Sequence, residues 1–274
     1  MSDDLEAFPL TPERWDDFET LFGPSGACYG CWCTHFRVRT SERKSMDADA
    51  KKQFMKNRVM SGPPPGVLGY IGSFPIPEVI SGINATMLGA QTINPNIKVK
   101  IIWANSWFDP GKEADAAKAL LDQGADVIMQ HTDSPAAMQI ASERGKLAFG
   151  QDSEMIKFGP KTQLTSIIDN WAPYYIERVR AELDGKWKSE DTWGGLKSKM
   201  VVMAPYTNMP DDVKKLAMDT EAAITEGKLF PFKCPVVAQD GKEVECKGGD
   251  HLDDGQVLGM NFYVKGVDDK MPGK

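Results

Sequence analysis

The sequence predicts an α/β fold: a parallel-sheet lobe preceded by a short, mostly helical N-terminal segment. Three observations carry that expectation. First, past about residue 68 come four short apolar runs, "LGYIGSF", "VKIIWANSW", "ADVIMQHT" and "KLAFGQDS", each suited to a strand buried on both faces. Second, the stretches between them carry helix punctuation. Pro77 opens "PEVISGINATMLGAQ"; Asp109, Pro110 and Gly124 bracket the next helix; Ser134, Pro135 and Gly145 bracket the third. Third, strictly alternating strands and helices imply right-handed crossovers and a parallel sheet covered on both faces. The strands are expected near 69–74, 99–106, 125–131 and 146–151.

Residues 1–60 have a different texture. "TPERWDDFETLFG" reads as a helix with Thr11 as N-cap, Pro12 at the first helical position and Gly23 beyond its end. Trp15, Phe18 and Phe22 share one face, and the stripe is expected to be core. "SERKSMDADAKKQFMKNRVMSG" makes a second, highly charged helix with Phe54, Val59 and Met60 turned inward. The proline run in "GPPPGVLGY" separates the two textures, placing a boundary between a segment 1–68 and a domain 69–274.

Composition excludes several functions. A net charge of −7 argues against nucleic acid or an anionic membrane as the main partner. No run approaches the ~20 apolar residues of a membrane span. The acidic start "MSDDLEAFPLTPERW" lacks the basic and apolar regions of a signal peptide, so the chain as written is expected to stay in the cytoplasm. Cys28, Cys31, Cys33 and His35 crowd together, but structural zinc usually takes two separated ligand pairs, and no second pair exists. Cys234 and Cys246 stand far from that cluster, and the cysteines are expected to be reduced structural thiols. With His35, His131 and His251 scattered, no metal and no cofactor are implied.

In an open α/β sheet, ligands sit beyond the carboxyl ends of the strands. Ser73 and Phe74 end the first strand, Asn105, Ser106 and Trp107 the second, His131, Thr132 and Asp133 the third, and Gln151 and Asp152 the fourth. Aromatic rings beside polar groups suit a flat heteroaromatic ligand that needs stacking and in-plane hydrogen bonds. Asp109 and Asp133 also precede helices, where capping is the simpler role. Asp152 has no obvious helix to cap.

From about Gly69 onward the chain resembles the BMP/PnrA-like family, basic membrane lipoproteins that serve as substrate-binding proteins of purine or nucleoside ABC importers. The motifs are "GYIGSFPIPEVISGINATMLGAQTINP", "NSWFDPGKEADAAKALLDQGADVIMQHTDSP", "LAFGQDSEM", "TSIIDNWAPYYIERV", "WGGL" and "GQVLGMNFYVKGV". The resemblance implies a type I periplasmic binding protein fold, two lobes closing over a ligand with no chemistry, a permease as partner, and a periplasmic or membrane-associated location. It implies ligand-binding roles for Phe74, Trp107, His131, Asp133 and Asp152, and for Asn170 and Trp171 on the segment crossing back toward the other lobe.

Three departures qualify it. The family's first lobe would precede "GYIGSF", and residues 1–68 instead resemble the start of a GNAT-type acetyltransferase, without the glycine-rich turn that holds acetyl-CoA. Nucleoside-binding relatives tend to carry a lysine near Asp169 and Asn170 to hold the ribose; none stands here, which favours a free base such as adenine. Finally, the apolar face of residues 156–187 (Ile167, Ile168, Trp171, Tyr175, Val179) would lack its first-lobe partner, so it should pack on residues 1–60 or stay exposed and drive self-association. The sequence thus suggests an impaired purine-binding protein of ABC import, the alternatives being a GNAT-like N-acetyltransferase or a purine sensor outside transport.

Overall fold

The computed structural model describes residues 14–23, 45–60 and 66–272, without the side chains of 57–60. The chain divides into two compact units, Met1–Pro65 and Gly66–Lys274. In the first, helix α1 (Trp15–Phe22) and helix α2 (Ala48–Met60) share a small core. Trp15 and Met55 are buried, with Phe18, Phe22 and Phe54 packed around them. The expected aromatic stripe is therefore core. The Trp15 indole donates to Glu19, which also pairs with Lys52. Gly23, at φ 67°, ends α1 where other residues would be strained. Thr11, Pro12 and the Cys28–His35 cluster, with the side chains of Val59 and Met60, lie outside the described residues.

The second unit is built on a six-stranded sheet of order β2-β1-β3-β4-β5-β6. Its strands are β1 (Val67–Gly72), β2 (Lys98–Trp103), β3 (Val127–His131), β4 (Leu147–Gly150), β5 (Gln163–Asp169) and β6 (Val201–Met203). The first five run parallel, with Tyr70 paired to Ile101 on one side and Met129 on the other; β6 is antiparallel to β5. The four expected strands are all present, within about two or three residues at their ends. Helices α3 (Pro77–Gln91), α4 (Pro110–Asp122) and α5 (Ala136–Glu143) make the crossovers. Asp109 caps α4 by accepting from the Lys112 N–H at 3.1 Å, and Gly124 and Gly145 leave their helices with positive φ.

Successive β1 residues enter opposite layers. Ile71 packs with Ala117, Leu120 and Ala137 of α4 and α5; Tyr70 packs with Ile80, Ile83 and Met87 of α3. The second layer is completed by the C-terminal segment, through Phe232, Leu252, Tyr263 and Val264. Buried Asn84 holds that segment in place: its side chain donates to the Phe262 carbonyl at 2.7 Å and accepts from the Val264 N–H at 3.0 Å.

One expectation is corrected here. Cys234 and Cys246 form a disulfide, their Cα atoms 6.5 Å apart. The cause is local: strands β7 (Val236–Val237) and β8 (Glu243–Val244) pair antiparallel, Val236 with Val244, and two residues further the same register sets Cys234 opposite Cys246.

Helix α6 (Trp171–Leu183) and helix α7 (Asp211–Thr225) flank β6, and neither contains a buried residue. Trp171, Tyr175, Ile176, Val179 and Leu183 are exposed, as is Ile167. Helix α8 (Asp254–Leu258) closes the fold with a capping box from Asp253 and Gln256. No described helix is long and apolar enough to cross a membrane.

Candidate ligand-binding cleft

The strand order reverses at β1 and β3: the chain steps from β1 outward to β2, then crosses back to β3. In open α/β sheets such a reversal is where a crevice is expected, at the strands' carboxyl ends. Four loops converge there.

The loop after β1 brings Phe74 and the loop after β2 brings Trp107, their ring centroids 5.7 Å apart and tilted by 58°. Trp107 in turn meets the His131 ring edge-on at 6.2 Å. Trp107 keeps 38% of its surface exposed, so an indole face remains for a ligand. The β2–α4 and β3–α5 loops are joined directly, the Asp133 N–H donating to the Trp107 carbonyl at 2.9 Å.

Both ring nitrogens of His131 have neighbours within the protein. Nδ1 lies 3.4 Å from the Tyr70 hydroxyl and Nε2 lies 3.4 Å from Glu78 Oε1. Burial pushes the Tyr70 phenol far up, and the Glu78 carboxyl is lowered, chiefly by its hydrogen bond to His131. Gly82 permits this approach, since a Cβ there would sit 2.7 Å from the Tyr70 oxygen.

The polar side of the cleft is acidic. Asp133 and Asp152 hydrogen-bond to each other, and burial, Asp152 and then Glu113 push Asp133 up to about 6, with His131 opposing. Asp152 is in the left-handed region at φ 61° and accepts from the Gln151 amide at 2.7 Å. Asp169, at the end of β5, is tied to the same loop, its N–H donating to the Asp152 carbonyl at 3.0 Å; desolvation and then Asp152 raise its carboxyl, against a bond from Trp171. Ser73 and Thr132, which follow the last paired residues of β1 and β3, are fully buried, with no hydrogen-bond partner for either hydroxyl among the described residues.

Five of the seven candidate residues, Phe74, Trp107, His131, Asp133 and Asp152, therefore gather at one place. Trp171 adjoins it through Asp169. Asn170 does not: its side chain donates to the Lys199 carbonyl at 2.9 Å, and it lines a separate cleft of about 400 Å³ with Tyr174, Arg178 and Trp193. Asp133 does not cap α5, which has no side-chain cap at its N-cap residue; Ser134 comes nearest, accepting from the Ala136 N–H at 3.3 Å. The sequence reading missed Glu78, Glu113 and Asp169. The strand-end rule would have found Asp169 had β5 been recognised as a strand. No group of three or more metal-ligating side chains occurs among the described residues.

A family model described as "ABC transporter substrate-binding protein PnrA-like" matches residues 65–230. The chain is 64% identical over 207 residues to a purine-binding protein of Brucella abortus (strain 2308), spanning 76% of this chain and 59% of that protein. It is 34% identical over 206 residues to a putative ABC transporter glucose-binding protein of Haloferax volcanii, spanning 75% of this chain and 50% of that one. The chain thus spans between half and three fifths of the length of these relatives. A solved ABC transporter solute-binding protein from Conexibacter woesei aligns with a TM-score of 0.50 over 61% of this chain and 57% of that chain, at 20% identity, which is a likeness of fold.

Proposed function

The chain belongs to the PnrA-like family of ABC transporter substrate-binding proteins, and from that premise we propose that it captures a purine base, adenine ahead of any nucleoside, in the cleft at the carboxyl ends of β1 to β4. The observation that carries this reading is the meeting of an exposed indole, flanked by Phe74, with the Asp133–Asp152 carboxyl pair. A flat ring stacks on the first and hydrogen-bonds in its plane to the second. The Brucella relative, a purine-binding protein, supports the same ligand class. The cleft binds and delivers rather than transforms its ligand, and the receiver is an ABC permease. The Cys234–Cys246 bridge supports work in an oxidising compartment, as outside the cytoplasm.

Residues 1–68 are read as a segment foreign to the binding fold, joined near the proline run. The lobe alone leaves one ring face in water. Losing a stacked contact costs ~1 kcal/mol and forgoing ~100 Å² of apolar burial ~2–3 kcal/mol. Binding is therefore two to three powers of ten weaker, roughly, than in a two-lobed protein. The exposed face of α6, with Trp171, Tyr175 and Val179, meets a second copy of the chain.

Titration calorimetry with adenine, adenosine, guanosine, glucose and cytosine tests the reading. Adenine should bind, and Trp107→Ala and Asp152→Ala should each weaken it by roughly tenfold or more. An indole face beside carboxylates also suits a sugar, and the Haloferax relative is described as glucose-binding; glucose binding in place of adenine would overturn the purine assignment. Tight adenine binding indifferent to both substitutions would move the site elsewhere.

A further inference from the structure

Glu113 is the one charged residue among the buried described residues, wholly enclosed in the first turn of α4. Its two oxygens face two different loops. Oε1 accepts from the Asp109 N–H at 2.9 Å, at the end of the loop that carries Trp107. Oε2 accepts from the Ser134 hydroxyl at 2.7 Å, next to Asp133 on the loop after β3. Ser134 Oγ accepts in turn from the Ala136 N–H at 3.3 Å, so the connection reaches the start of α5. A second tie, Asp133 N–H to the Trp107 carbonyl at 2.9 Å, runs beside it. Charge-assisted bonds to a buried carboxylate are costly to break singly, because the charge is left without partners.

We propose that Glu113 is the positioning residue of this cleft: its buried carboxylate ties the β2–α4 loop to the β3–α5 loop, and so sets the Trp107 stacking surface and the Asp133 carboxyl against one another. Glu113 touches no ligand. It acts through Ser134 and the Asp109 backbone on geometry, and through its charge on Asp133. The groups facing Asp133 are Asp152 from the loop after β4, Glu113 from α4 and His131 at the end of β3; Glu78 holds His131, and Asp169 stands behind Asp152. The Asp109–Lys112 pair lies at the same helix end. Desolvation, then Asp152, then Glu113 disfavour a further negative charge, so Asp133 keeps its proton to higher pH than an ordinary carboxyl.

The proposal rests on the cleft being the binding site, but its first measurement needs no ligand. Carboxyl ¹³C NMR of the full chain, with the resonance assigned by Asp133→Asn, follows Asp133 against pH. Glu113→Gln keeps the shape and the acceptor for Asp109 but removes the charge; the Asp133 midpoint should fall by roughly half a pH unit or more. The Trp107 indole N–H resonance should stay near its wild-type position in Glu113→Gln and move in Glu113→Ala, which loses both ties. Ser134→Ala, the milder variant should Glu113→Ala not fold, cuts one tie and keeps the charge, so it should move the Trp107 resonance and leave the Asp133 midpoint higher than in Glu113→Gln. The pH profile of adenine affinity should shift downward with the Asp133 midpoint in Glu113→Gln. An unmoved Asp133 midpoint in that variant, or a Trp107 resonance indifferent to both Glu113→Ala and Ser134→Ala, would overturn the proposal. Failure of adenine to bind, with the ligand-free shifts as stated, would count against the purine reading and leave Glu113 in its role.

Discussion

Helix α4 and helix α6 have the same length and the same average hydrophobicity, and both are amphipathic. Yet α4 buries Glu113, Ala116, Ala117 and Leu120, whereas α6 buries nothing. Helix α7, two residues longer, repeats the contrast. An apolar face is thus a demand for a partner and says nothing about whether one is present. For α4 the partner is the sheet, with Ile71 and Ile128 beneath it. For α6 the demand is displayed at the surface by Trp171, Tyr175 and Val179.

The largest effect that tests this contrast is a pair of truncations. Leu120 is fully buried, so Leu120→Ala should lose its contacts and leave a cavity, destabilising the lobe by about 3–4 kcal/mol. Val179 is 60% exposed, and Val179→Ala should change stability by no more than about 0.5 kcal/mol in dilute solution. Urea unfolding of both variants provides the comparison. A cost at Val179 that grows with protein concentration would mean that self-association covers the face; a large cost independent of concentration would mean that α6 packs within the chain.

The same contrast explains what the sequence revealed. Strands β1 to β4 were legible because each apolar run adjoined a helix with a local stop or start, such as the Asp109 cap or the positive-φ glycines 124 and 145. Strand β5 was not, because its buried residues are polar. Gln163, Thr165 and Ser166 are all enclosed, with Gln163 accepting from the Met155 N–H and Thr165 donating to the Ala204 carbonyl, so no apolar periodicity marks them. Two-residue strands carry no period either, which is why the register joining Cys234 to Cys246 stayed hidden. In the cleft, strand-end positions were readable and supporting positions were not. Glu113 reads as an ordinary first-turn acid of a helix, and only its three-dimensional enclosure distinguishes it.

A second test concerns the C-terminal segment, which covers α3 with little regular structure of its own. The disulfide joins residues 12 apart in sequence and adjoins Phe232 and Val236 in the core. In the chain-entropy account a loop of that size is worth about 2–3 kcal/mol. Cys234→Ser with Cys246→Ser should therefore lower the urea midpoint, and reductant should do the same to the wild type. Hydrogen exchange should quicken around Asn84 and Val264 before it changes in α4. Equal midpoints with and without reductant would show that the segment is held by its apolar contacts alone.

The smallest effect comes from the cleft. Asp133 titrates near 6, held up by desolvation and then by Asp152 and Glu113. A carboxyl raised in the folded state favours folding below its unfolded value, near 4, and loses that contribution as pH rises through 6. Above that range the ionised group opposes the fold. Replacing it by a neutral amide should therefore stabilise the protein at pH 8 and make no difference at pH 3.5. A shift of about two pH units corresponds nominally to about 3 kcal/mol. Asp133 is exposed, however, so solvent and salt screen much of it, and a gain of about 1 kcal/mol is the realistic size for Asp133→Asn. Adding salt should shrink the gain further, since its source is repulsion between carboxylates. Urea unfolding at the two pH values measures it directly. A destabilised Asp133→Asn at pH 8 would mean that the carboxylate is held there by favourable bonds, and that the cleft meets its ligand as an acceptor rather than as a shared proton.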